Sequence, residues 1–160
     1  MADEYLDRVL ESYQGEVFGE AIFGEMAAKS ADAKNSYKWR VLAQLERETK
    51  ERLKPLVAEL GGEVEEDASA FSKGRHIAAK WAKQSWDENM IWFRDELPKY
   101  ISFFEKLEAD ARSQDREVLA AVTAHEVALL AFAEHEIAGR SDTSVEPVLA
   151  LLDRPPTRDT

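Results

Sequence analysis

Cysteine is absent from the 160 residues, which removes disulfides, thiolate metal ligands and thiol nucleophiles from the chemistry open to this chain. Glycine and proline are scarce, seven and five residues, too few for a fibrous or low-complexity chain. Positive charge is in deficit. Lys and Arg number 21 against 32 Asp and Glu, for a formal net charge of -11. Binding to a phosphate backbone is driven by Lys and Arg releasing counterions, so neither nucleic acid nor an anionic membrane is an expected partner. No run approaches the roughly 18 apolar residues of a membrane span. The opening MADEYLDRVL has acids where a signal peptide carries basic residues. The expected location is cytoplasmic. A phosphate loop, a dinucleotide fingerprint and a nucleophile elbow are also missing.

Seams of residues spaced alternately three and four apart are what the sequence does contain, the inner stripe of bundled helices. The first segment, about residues 3–30, reads Leu6, Val9, Tyr13, Glu16, Glu20, Phe23, Ala27. The second, about residues 36–60, reads Trp39, Leu42, Glu46, Thr49, Leu53, Leu56, Leu60 and stops at Gly61 and Gly62, a natural helix terminus. A third, about residues 86–112, is apolar or aromatic throughout: Trp86, Met90, Phe93, Leu97, Tyr100, Phe104, Leu107, Ala111, with Pro98 expected to kink it. The fourth, about residues 115–138, fits two phases. One runs Leu119, Val122, Glu126, Leu129, Ala133, Glu136 and the other Val118, Val122, His125, Leu129, Phe132, Glu136.

Between the second and third seams, residues 63–85 read as a loop and a short helix, too long for a tight hairpin. Such a connection lets the second and third helices run in the same direction, the arrangement of bundles with one crossover. The expected fold is therefore all-α, a four-helix bundle over residues 1–140. Residues 141–160 form a C-terminal tail that packs on the bundle or trails from it. The aromatics Trp81, Trp86, Trp92, Phe93, Tyr100, Phe103 and Phe104 exceed what one seam needs, which makes a homodimer the expected assembly.

An ionised carboxylate on an inner stripe loses hydration that an apolar core does not replace, so it needs a partner or a proton. Glu16 and Glu46 fall mid-helix on adjacent segments joined by a short loop, at similar depth, and Glu126 adds a third acid from the fourth. Three converging carboxylates suit iron or manganese rather than thiolate-loving metals. The bland alternative for Glu16, Glu20 or Glu126 is a bundle margin or an ion pair with Lys or Arg. His125 and His135 are further candidate ligands on the fourth segment, although a hydrogen-bonded boundary role is commoner for such residues. His76, within the basic stretch of Lys73, Arg75, Lys80 and Lys83, reads as part of a solvated helix face.

These residues resemble the ferritin-like superfamily, and its rubrerythrin-like branch most closely. In GEVFGEAIFGEMA, Glu16 is followed by Gly19, Phe23 and Ala27, similar to the small residue, aromatic and Ala of that family's first metal helix. In KWRVLAQLERET, Trp39, Arg40, Ala43 and Glu46 match the second, with Thr49 at the family's histidine position. In TAHEVALL, Glu126 matches the family Glu and Leu129 stands at the second histidine position. The resemblance covers about residues 10–137 and implies a di-metal site. That site draws one Glu from each of two helices and a Glu-x-x-His pair from each of the other two. The bridging Glu expected on the third helix has Glu96, beside Leu97, as its nearest counterpart.

Two expectations follow. One is a metal-free structural or interaction protein, with Arg40 as one counter-charge for the inward acids. The other is an iron- or manganese-dependent oxidoreductase or iron-handling protein using Glu16, Glu46 and Glu126, supported by Glu20 or Glu96. In that case Tyr13 and Tyr100 serve as redox relays or as packing. The loss of both family imidazoles tilts the expectation toward the first.

Overall fold

Local chemistry sets where each helix begins and ends. In the computed structural model, which describes residues 2–158, the elements are α1 Ala2–Lys29, α2 Ala33–Glu59, α3 Ala68–Trp81, α4 Trp86–Ala109, α5 Arg116–Ile137 and α6 Glu146–Leu149. The fold is all-α, with no strand among the described residues. Asp32 caps α2 by accepting from Asn35 N at 2.8 Å, and Asp67 caps α3 by accepting from Ser69 N at 2.7 Å. Ser85 and Glu88 form a reciprocal capping box at the start of α4. Each such cap stabilises its helix by about 1 kcal/mol. Gly61 and Gly139 follow α2 and α5 with φ of 83° and 75°, a left-handed conformation that lets the chain turn off the helix. Pro98 does not interrupt α4, nor Pro55 α2.

Apolar stripes then pair the helices. α1 packs along α2, α4 along α5, and α3 lies across α1. Two buried clusters show how the ends correspond. Val9, Tyr13 and Val17 from the first half of α1 meet Leu53 and Val57 near the end of α2, Leu107 of α4 and Leu119 and Val122 of α5. Phe23 and Met26 of α1 meet Trp39 and Leu42 of α2, Phe93 of α4 and Leu129 and Phe132 of α5. Between those two apolar layers lies the level of Glu16, Glu46 and Glu126.

The chain from Glu63 to Asp67 is irregular, and α3 follows it. At Gly74 α3 approaches α1 so closely that a Cβ would lie 2.6 Å from the Phe18 carbonyl oxygen and 2.8 Å from the Ala21 methyl. That close approach delivers Trp81 into a set of aromatic contacts with Trp92 and Phe93 of α4. By length and composition α5 is apolar enough to span a bilayer, yet its buried face is taken up by packing, from Leu119 to Ala133. Beyond it, Val145 and Val148 are buried in the cluster around Trp39 and Phe132, with Leu149, Leu151 and Leu152 packed against it.

A buried ion pair ties this C-terminal segment down. Lys38 on α2 pairs with Glu136 on α5, both side chains almost fully buried. Lys38 Nζ also donates to Ser141 O at 2.8 Å and Ser141 Oγ at 2.7 Å, while Trp86 Nε1 donates to Glu136 Oε2 at 2.8 Å and Ser144 Oγ to Oε1. With every polar atom engaged, removing one partner leaves the other charge stranded. Lys38→Met is expected to lower stability by about 3–5 kcal/mol in urea unfolding. The double variant Lys38→Met/Glu136→Leu should recover much of that loss, and no recovery would show that the pair is not what Lys38 contributes.

Candidate metal centre

Glu16 projects from the middle of α1, Glu46 from the middle of α2, and His125 and Glu126 from the middle of α5; all four are buried. Both phases read for the fourth seam are therefore inward. α5 lies against α4 on one side and meets α2 on the other, so its core-facing arc is wide enough to hold two consecutive residues. One ligand atom from each of Glu16, His125 and Glu126 falls within 4.8 Å of the others.

Hydrogen bonds fix the imidazole. His125 Nε2 lies 3.0 Å from Glu46 Oε1 and Nδ1 lies 2.9 Å from Thr49 Oγ1. A carboxylate only accepts, so the proton toward Glu46 is on Nε2, and in neutral His125 the Nδ1 lone pair accepts from the Thr49 hydroxyl. Nδ1 is also 3.4 Å from Glu16 Oε2. That oxygen has no hydrogen-bond partner although it is fully buried. An orphaned carboxyl oxygen in a core is costly and calls for a proton, a donor or a cation.

Gly19 makes room for this arrangement. A Cβ there would collide with the Glu46 carboxylate, so the small residue three positions after Glu16 is what allows Glu46 to lie against α1. Glu46 also comes within hydrogen-bonding reach of Glu16, a contact between two carboxyls that requires a proton.

Electrostatics reflect this crowding. Burial, reinforced by Glu46 and Glu126, holds Glu16 well above the usual carboxylate range; Lys50 opposes the effect without cancelling it. Burial pushes Glu126 up to about 7, with His125 pulling it down and Glu46 pushing it further up. For His125, burial works against the charged form, but the Glu46 carboxylate outweighs it and the pKa is raised; Arg52 acts weakly the other way.

The remaining candidates lie elsewhere. Glu20 is bound to Arg47 Nε at 2.8 Å and to Lys50, outside the cluster, and these cations hold it below its ordinary pKa against the cost of burial. Glu96 pairs with Lys99 on the outer side of α4. So α4 supplies no carboxylate among the described residues, only the aromatic wall. Arg40 stacks over Tyr37, and the cations that act on the inward acids are Lys50 on Glu16 and His125 on Glu126. His76 is exposed, and His135, further along α5, is not part of the cluster. Leu129 lines the cavity beside the acids and Tyr100 is half exposed at its wall.

No protein-family model, no curated protein and no solved structure matches the chain.

The raised carboxyls carry a pH signature in metal-free protein. Between the usual carboxylate pKa of 4.5 and about 7, folded Glu126 binds a proton that the unfolded chain has released, so stability falls as pH rises through that window. Glu16 and His125, also raised, act in the same direction. Chelator-treated protein should lose about 3 kcal/mol at Glu126 alone between about pH 5 and pH 8. Glu126→Gln should flatten that dependence in urea unfolding, and an unchanged slope would show that Glu126 ionises freely.

Proposed function

We propose that this chain is a ferritin-like four-helix bundle, with α3 in its crossover, that holds a single iron or manganese ion for oxidoreductase chemistry. The observation that carries the reading is Glu16 Oε2, buried without a partner and within reach of the His125 and Glu126 ligand atoms. Two carboxylates and one imidazole are a donor set suited to a divalent first-row metal, and a cation there would relieve the mutual repulsion of Glu16, Glu46 and Glu126.

The donor set supports one ion. A di-metal site of this kind needs four carboxylates and two imidazoles, whereas here Glu96 is on the surface and Thr49 and Leu129 occupy the family histidine positions. In this reading Glu16, Glu126 and His125 through Nδ1 are the ligands. Glu46 accepts the Nε2 proton of His125, which fixes the tautomer and the ring orientation, as carboxylates do behind metal-bound imidazoles. Thr49 takes up the Nδ1 lone pair when no cation does. Bound iron or manganese would supply Lewis acidity and one-electron chemistry. The core around the carboxylates keeps bulk water away from them.

Titration of chelator-stripped protein with Mn(II) and, without oxygen, with Fe(II) should reach one ion per chain. Glu16→Gln, Glu126→Gln and His125→Ala should abolish binding, and Glu46→Gln should weaken it about 10- to 100-fold. Absence of binding at high micromolar Fe(II) would instead support a metal-free structural protein, its imidazole satisfied by Thr49 and Glu46. Two ions per chain would contradict the single-ion reading.

A further inference from the structure

Above the carboxylates a cavity of about 120 Å³ opens between α1 and α4, and its lining suggests what it admits. One wall is aromatic, formed by Trp81 from α3 and Trp92, Phe93 and Phe104 from α4. The opposite wall is α1, where Gly15 and Gly19 stand one turn apart. A Cβ at Gly15 would meet nothing within 4 Å, so the missing side chain leaves the mouth open rather than relieving a clash. The floor holds Glu16, Glu46 and Glu126, and no basic residue lines the cavity.

Size, walls and charge each exclude something. Cavities of this scale accept a guest of about one benzene ring and are too small for a peptide segment. The polar groups are confined to the carboxyl floor and the Tyr100 hydroxyl while the rest of the wall is aromatic or aliphatic, so a guest as polar all round as a sugar is a poor occupant. A carboxylate or phosphate finds no basic residue to pair with there, and the acids repel it wherever they are ionised. Glu16 Oε2, buried and unpartnered, lines the same space, so a guest sits directly over the cluster proposed to react.

We infer that this cavity is the substrate site of the centre and that it takes a compact, uncharged apolar molecule of about one six-membered ring, entering past Gly15. Its role as a substrate site rests on the metal-centre reading, but its occupancy does not, because the aromatic walls stand without a cation.

Toluene is a suitable probe, with benzoate as its anionic counterpart. Titrated into full-length protein, with and without Mn(II), toluene should saturate and change the fluorescence of Trp81 and Trp92, while benzoate should bind at least about tenfold more weakly. Gly15→Leu places a side chain in open space at the mouth and raises helix propensity, so the variant should fold, keep its Mn(II) affinity and lose toluene binding by at least about tenfold. Glu16→Gln should lose Mn(II) and keep toluene. Saturable toluene binding that Gly15→Leu removes, in a chain that binds no metal, would uphold the cavity and overturn the metal centre. Metal binding without saturable toluene binding, toluene binding unaffected by Gly15→Leu, or benzoate binding equal to toluene would overturn the cavity assignment.

Discussion

Glu16 and Glu46 meet, both buried, across the α1–α2 seam in a contact that requires a proton, and the crowding of their carboxyls governs the residues around them. Gly19 lacks a side chain so that Glu46 can lie against α1. His125 turns its Nε2 proton toward Glu46, which orients the ring and leaves Nδ1 near Glu16. Glu126, one residue on, is pushed up to about 7 by burial, with Glu46 adding to the effect. A core of apolar residues would be simpler to stabilise, and leaving acids unpaired at this depth costs several kcal/mol. The scaffold sustains that cost because the apolar layers on either side, around Tyr13 and Leu107 and around Trp39 and Phe132, are well packed.

Distribution of charge separates structural ion pairs from the centre. Lys38 and Glu136 are as buried as the central acids, but each atom has its donor or acceptor, and the pair anchors the segment that carries Val145 and Val148. Glu20 is similarly satisfied by Arg47 and Lys50. Among the described residues, only the level of Glu16, Glu46 and Glu126 combines a buried carboxylate oxygen without a partner, a raised neighbour and an open cavity. These features are why the proposed site is put there rather than at the many exposed acids behind the net charge of -11.

Much of this was legible in the sequence. Three-four spacing locates the helices and turns Glu16, Glu46 and Glu126 inward, because a seam position in a long amphipathic helix has little freedom to point elsewhere. Glu20 occupies the same stripe as Glu16, yet its carboxylate turns to Lys50 and Arg47 and off the core, and no periodicity encodes that choice. Glu96 neighbours a seam position, and its rotation about α4 carries it to Lys99. His125 was the hardest to place. Consecutive helical residues lie about 100° apart, so one narrow stripe holds only one of His125 and Glu126. The wide buried arc of α5 admits both. Each of the two phases carries four apolar residues of six, the mark of a helix buried on more than one side. The cavity was not legible, since it depends on Gly15, on the crossing at Gly74 and on the position of Trp81.

Crystals of the protein grown with Mn(II), measured with anomalous scattering, test the central claim most directly. One anomalous peak per chain, coordinated by Glu16, Glu126 and His125 Nδ1 with Glu46 retained on Nε2, is the predicted result. A map with no peak among these side chains, and with the Thr49–His125–Glu46 hydrogen bonds intact at saturating Mn(II), would contradict it.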